Sequence, residues 1–206
     1  MQMRLVGERQ QSQIPDTLLL LEHPPTITLG RGSREADLLT SEAQLARQGI
    51  AVERVDRGGE ITYHAPGQLV GYPILDLRAH GQDLHKYLRD LEEALIRTLG
   101  ALGLEAAREP GLTGVWTGGC KIAAIGIKVS RWVAMHGFAL NINPDLEPMR
   151  RDFVPCGIRD RGVTSLAECL PTISWTRVDV ERHVLRAFAE VFQLEPRMVH
   201  EGILSA

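Results

Sequence analysis

The stretch KIAAIGIKVSRWVAMHGFALNI, Lys121 to Ile142, decides the fold. Apolar and β-branched residues run from Lys121 to Val129 and again from Val133 to Ile142, around the break Ser130-Arg131-Trp132. Such a pair of runs reads as the two arms of a hairpin. Outward from it, Thr17–Leu21 and Thr26–Leu29 read as extended segments around Pro24-Pro25. Ala51–Arg54 reads as a strand leading into Arg57-Gly58-Gly59, and Ile61–His64 and Leu69–Leu75 as strands on either side of Pro66-Gly67. Helices are interspersed. Ser41-Glu42-Ala43-Gln44 and Ser165-Leu166-Ala167-Glu168 fit the capping box, with Gly49 and Pro171 placed to stop the short helices they open. Asp83 caps a longer stretch in which Leu84, Tyr87, Leu88, Leu91, Leu95, Leu99 and Leu102 recur at helical spacing. Val180, Val184, Phe188, Val191 and Phe192 mark a last amphipathic helix. Strands joined as hairpins, with helices between them, make an α+β layered domain on a mixed, largely antiparallel sheet.

The chain has 206 residues, 44% of them hydrophobic, with no repeat and no linker-like tract. Residues 1–206 are therefore expected to form a single domain. A net charge of −3 gives no reason to expect a nucleic-acid partner. The longest apolar candidate, Leu18–Leu21, falls far short of the ~18 residues of a membrane span. The first residues are polar and carry no apolar signal stretch, so a cytoplasmic location is expected. Three cysteines at wide spacing, Cys120, Cys156 and Cys169, argue against both a disulfide framework and structural zinc. Of the 23 basic residues only Lys86, Lys121 and Lys128 are lysines. Where arginine serves for most positive charges, a lysine invites attention, because it can readily give up its proton.

Four stretches could carry chemistry. In Arg57-Gly58-Gly59-Glu60-Ile61-Thr62-Tyr63-His64-Ala65-Pro66-Gly67-Gln68, paired glycines allow close backbone approach to a ligand and leave amide donors exposed to it. The plainer reading is a glycine turn between strands with solvated polar side chains. No Gly-Lys-Ser/Thr follows, which excludes a Walker A loop. In Gly118 to Gly126, small residues alternate with apolar ones. One face could line a narrow apolar channel with Lys121 at its mouth, or the small residues could simply permit close packing. The stretch His136-Gly137-Phe138-Ala139-Leu140-Asn141 is a strand with polar ends, and a lone histidine there is more often structural than a base. In Val154-Pro155-Cys156-Gly157-Ile158, proline and glycine place Cys156 on a defined turn. Cys169, in a helical run, reads as a buried apolar filler. Cys120 and Lys121 are neighbours on a strand and point to opposite faces.

Together these segments resemble the lipoyl(octanoyl) transferase family over roughly residues 17 to 170. Arg57 to Gln68, Lys121 to Gly126, His136 to Asn141 and Pro155-Cys156-Gly157 match its motifs in order, and Glu22-His23-Pro24-Pro25 with Leu29-Gly30-Arg31 is also similar. Two departures from the resemblance stand out: on its terms the chain would start partway through what is usually a first strand and helix, and Cys120 stands where arginine often precedes the motif lysine. The resemblance implies a fold like that of lipoate and biotin protein ligases, and a cysteine/lysine dyad. Cys156 would be the nucleophile and Lys121 its partner. Arg57, Gly58, Gly59, Glu60, Ile61, Thr62, Tyr63 and His64, with Ala124, Ile125, Gly126, Gly137, Phe138 and Ala139, would line the acyl site.

The implied reaction moves an octanoyl or lipoyl group from acyl carrier protein to a lysine of a lipoyl domain, through a thioester and without a cofactor or metal. The implied acceptors are the lipoyl domains of 2-oxoacid dehydrogenase E2 subunits and the glycine cleavage H protein, and the enzyme is expected to be a monomer. Arg150, Arg151, Arg159 and Arg161 are candidates for a rim that docks the acidic carrier, or else a solvated charged loop. The rival readings are an ATP-dependent lipoate or biotin ligase on the same fold and a non-catalytic domain that binds acylated carrier proteins.

Overall fold

A computed structural model describes residues 1–153 and 161–197. In chain order its elements are α1 (Gln2–Gln10), β1 (Thr17–Leu21), β2 (Thr26–Leu29), α2 (Glu42–Arg47), β3 (Ala51–Arg54), β4 (Ile61–His64), β5 (Gln68–Ile74) and α3 (Leu84–Ala101). There follow β6 (Ala107–Glu109), β7 (Leu112–Thr117), β8 (Cys120–Ser130), β9 (Val133–Asn141), α4 (Glu147–Arg151), α5 (Leu166–Cys169) and α6 (Arg177–Phe192).

The hairpin is present and central. Ser130 pairs with Val133, so the turn is Arg131-Trp132, with φ of 46° and 65°. Two positive-φ residues give a type I′ turn, whose twist matches that of the flanking strands. The six strands run β1-β5-β9-β8-β7-β6, every pair antiparallel. The one parallel pair among the described strands, β2 with β3, lies in a second sheet ordered β3-β2-β4. The expected mixture of directions is thus divided between a large antiparallel sheet and a small mixed one.

Each sheet has its own apolar layer. On the large sheet, α3 and α6 bury Leu91, Leu95, Leu99, Val184 and Phe188 against Leu69, Val115, Ile122 and Leu140. Each fully buried leucine there contributes about 1.5–3 kcal/mol relative to exposure. Asp83 starts α3 by accepting from the His85 and Lys86 amides, at 2.8 and 3.1 Å. On the small sheet, Ile27, Ile61 and Tyr63 pack with Leu45 of α2, with Met149 of α4 and with Phe153. Gln44 closes the capping box on Ser41, and Gly49, at φ 75°, ends α2.

The N-terminal stretch, which has no apolar periodicity, is helical. Leu5 and Val6 of α1 bury against Ile74, Val133 and Met135, so tertiary contact fixes this helix. Cys169, expected as an apolar filler, is only half-buried, and its Sγ lies 3.4 Å from Thr164 Oγ1. No described helix is long and apolar enough to cross a membrane.

Candidate active site

The two sheets face one another across a cavity of about 350 Å³, within the ordinary range for small-molecule sites. The small sheet supplies Thr26 and Thr28 from β2, Glu53 from β3, and Ile61, Thr62 and His64 from β4. The large sheet supplies Val70 and Tyr72 from β5, Lys121, Ala124, Ile125 and Gly126 from β8, and His136, Gly137, Phe138 and Ala139 from β9. Arg57, Gly59 and Glu60 close one side, while His23 and Gln2 reach in from the β1–β2 connection and α1.

Glycines make the closeness of the two sheets possible. A Cβ on Gly126 would sit 2.8 Å from the Gly58 carbonyl oxygen and 3.1 Å from Arg57 Cδ. Within the large sheet, a Cβ on Gly71 would enter the ring of its cross-strand partner Phe138, so the glycine there leaves room for that ring. The loop at Arg57–Glu60 is held to the end of β2 by Gly30 N–H to Glu60 O, Arg31 N–H to Arg57 O and Gly32 N–H to Gly59 O. It reaches β8 through Gly58 N–H to Ile127 O, at 2.8 Å. The Arg57 guanidinium is buried and donates to Thr28 O and Thr28 Oγ1 at 2.9 and 2.8 Å. Its charge is therefore fixed at the cavity wall.

Lys121 is 7% exposed, with Nζ 4.8 Å from the centre of the Trp116 ring, its cross-strand partner. A cation over an indole face is an attractive arrangement. The main chain of Lys121 also receives the segment that follows Cys156 in sequence. Lys121 N–H donates to Gly162 O at 2.9 Å, and Thr164 N–H donates to Lys121 O at 3.0 Å. Before that segment, Phe153 is buried in the small-sheet core and bridges Leu38. Val154, Pro155, Cys156, Gly157 and Ile158, which carry the proposed nucleophile, lie outside the described residues.

Neutral imidazoles line the opposite wall. Burial pushes His64 down to about 4, and burial also lowers His23. His23 Nε2 and the Tyr72 hydroxyl are 2.6 Å apart, and burial raises that hydroxyl to about 12. Asp56, outside the cavity lining, bonds Lys128 and, at 2.9 Å, Nε2 of the cavity-lining His136. These bonds, that to Lys128 first, hold its carboxyl at about 2.

Most of the expected acyl-site residues meet at this cavity, but two do not. Tyr63 is 3% exposed in the small-sheet core, because alternation along β4 sends Thr62 and His64 to the other face. Gly58 lies behind the wall, engaged with Ile127. His136, whose type and place on a strand suggest a structural role, borders the cavity. Its φ of 57° kinks β9 there. His23, Tyr72, Thr26 and Thr28 went unselected. The period-two alternation of β2 and β5 would have picked out Tyr72 and the threonines once either strand was known to border the site. Of the proposed docking arginines, Arg150 is paired with Glu147 and Glu168, Arg151 with Asp152, and Arg161 with Glu109. Arg159 lies outside the described residues. Three of the four are thus already matched by carboxylates, which argues for a structural use of these charges. No group of three or more metal-binding side chains occurs among the described residues.

A family model described as the lipoyl protein ligase A/B catalytic domain matches residues 1–189. An octanoyltransferase from Nostoc sp. is 55% identical over 190 residues, covering 91% of this chain and 83% of the relative. One from Chloroflexus aurantiacus is 53% identical over 203 residues, covering 96% and 89%. In fold, the chain superposes on a lipoate-protein ligase A bound with ATP with a TM-score of 0.77 at 18% identity, over 95% of this chain and 82% of that one.

Proposed function

The chain belongs to the lipoyl protein ligase A/B catalytic-domain family, and from that premise we propose that it is an octanoyltransferase of protein lipoylation. It takes the octanoyl group from acyl carrier protein onto Cys156 as a thioester, then passes it to a lysine of a lipoyl domain. Lipoyl domains of 2-oxoacid dehydrogenase E2 subunits and the glycine cleavage H protein are the proposed acceptors, in the cytoplasm. Relatives more than half identical over nearly the whole chain support the acyl transfer.

The observation that carries the route is the placement of Lys121. It is buried on the wall of a cavity whose Val70, Ala124, Ile125, Phe138 and Ala139 suit an alkyl chain, and its main chain holds Gly162 and Thr164, shortly after Cys156 in sequence. The Cys156 thiol passes its proton to Lys121 and attacks the donor thioester, the carbon–sulfur bond of the donor breaks, and Lys121 returns the proton to the departing phosphopantetheine sulfur. One thioester replaces another, so no nucleotide is consumed. The acceptor amine then attacks the acyl-enzyme carbonyl, and Lys121 takes up the amine's proton.

Intact-protein mass spectrometry after mixing with octanoyl-acyl carrier protein tests this, with ATP and magnesium left out. The expected product is heavier by one octanoyl group, labile to hydroxylamine and mapped to Cys156. An adduct on Cys120 or Cys169, or undiminished activity in Cys156→Ala, would refute the route. Strict dependence on ATP with free octanoate as donor would instead favour the ligase chemistry that the ATP-bound fold neighbour suggests.

A further inference from the structure

The tautomer of His64 is fixed by a network that can be read from two ends. Gln68 Nε2 lies 3.0 Å from the Tyr63 carbonyl oxygen, and Asn141 Nδ2 lies 2.9 Å from the Thr164 carbonyl oxygen. A carbonyl only accepts, so both side-chain amides have one permitted orientation. Asn141 Oδ1 is then the atom that accepts from Gln68 Nε2, at 2.9 Å, and the two assignments agree. What remains is Gln68 Oε1, which faces His64 Nδ1 at 2.8 Å and can only accept. His64 therefore carries its proton on Nδ1, and Nε2 of the neutral ring is a bare acceptor. Gln68 and Asn141 are 1% and 4% exposed, so water does not compete for these bonds.

His64 Nε2 makes no hydrogen bond to any described residue, although the ring is nine-tenths buried and borders the cavity. Nε2 is the ring atom left to face the cavity, and an acceptor that opens into a largely apolar cavity suits a ligand that brings an N–H or O–H. An octanoyl chain has no such group, and its thioester carbonyl only accepts. The attacking lysine amine has N–H groups to offer. The same network also reaches the proton acceptor, since Asn141 holds Thr164, whose N–H donates to Lys121 O. One framework thus places both the imidazole and the lysine.

We propose that His64 Nε2 accepts an N–H of the incoming lysine amine, aiming its lone pair at the octanoyl thioester while Lys121 removes the proton. His64 is then a catalytic residue that touches the acceptor substrate without changing its own protonation. The proposal rests on the thioester route above. In the step, the amine nitrogen bonds to the carbonyl carbon and the carbon–sulfur bond breaks. One amine proton passes through Lys121 to the departing Cys156 sulfur. The other stays on the product amide, shared with His64 until release.

The test separates the two half-reactions by single turnover in the wild type and His64→Phe. Cys156 is first loaded from octanoyl-carrier protein, and the acyl-enzyme is then mixed with a lipoyl domain. Transfer should slow by about tenfold or more relative to loading. Long-range proton–nitrogen NMR of the wild type should show Nδ1 protonated and Nε2 bare at neutral pH, a readout that needs no variant to fold. Slowed loading with normal transfer would overturn the proposal and give Nε2 to an amide of the phosphopantetheine arm. Equal loss in both steps would reduce His64 to a structural residue, and a proton on Nε2 would contradict the network reading. Absence of any wild-type adduct on Cys156 would instead remove the thioester route itself.

Discussion

Among the described residues, two positive side chains border the cavity, Arg57 and Lys121, and only the lysine can hand over a proton under ordinary conditions. If Lys121 served only as a charge, arginine would replace it, as it does at most basic positions of this chain. We expect Lys121→Arg to fold and to lose at least about a hundredfold in transfer to the lipoyl domain. Lys128→Arg should stay active, because Asp56 can pair with either cation. Single-turnover rates for loading and transfer decide this, and near-normal values for both in Lys121→Arg would leave the lysine as a replaceable charge. His64 makes a second, independent prediction about stability. Unfolded, it takes a proton near 6.5, but in the fold burial delays this to about 4. Below 6.5 the unfolded state binds the extra proton, so stability falls as pH drops from about 6.5 to about 4 and then levels. The loss amounts to about 3 kcal/mol, and His23 adds to it in the same direction. Denaturation midpoints of the wild type and His64→Asn across this window should differ in slope, with the variant flatter; parallel curves would remove His64 from the acid limb.

At the scale of elements, strands and long helices were the legible part of the sequence, because each imposes a period on its apolar residues. The β8–β9 arms, α3 and α6 fall where the apolar spacing put them. By contrast, α1 depends on two side chains meeting distant strands, and α4 is five residues long with proline near its start. Neither presents a period long enough to read. The site was legible in its motifs but not in its sidedness: Tyr63 belongs to a core, while Tyr72 and His23 join His64 only through pairing of distant segments. The contact between β8 and the Arg57–Glu60 loop gives an element-scale prediction. Gly126→Ala puts a methyl group 2.8 Å from the Gly58 carbonyl, and should cost about 1–3 kcal/mol. It should also raise the KM for the octanoyl donor. Gly100→Ala, in α3 with open space around it, should instead be neutral or stabilise by up to about 1 kcal/mol. Chemical denaturation of the two variants reads both signs, and equal stability losses would show that crowding against Gly58 is not the cause.

For the whole molecule, the unit that works is the pair of sheets, since neither encloses the cavity alone. The Arg57–Glu60 loop is attached unequally to the two. Among the described residues, three main-chain bonds join it to the chain just after β2, and one, Gly58 N–H to Ile127 O, joins it to β8. Separation of the sheets therefore has a preferred place to begin, and a single amide proton reports it. In hydrogen–deuterium exchange, Gly58 should exchange sooner than the amides of Gly30, Arg31 and Gly32, and should slow when an octanoyl group occupies the cavity. Exchange of all four at one common rate would mean that the loop leaves both sheets together. If Gly58 leads, its exchange rate is a clock for the breathing of the cleft, kept by one proton that takes no part in the chemistry.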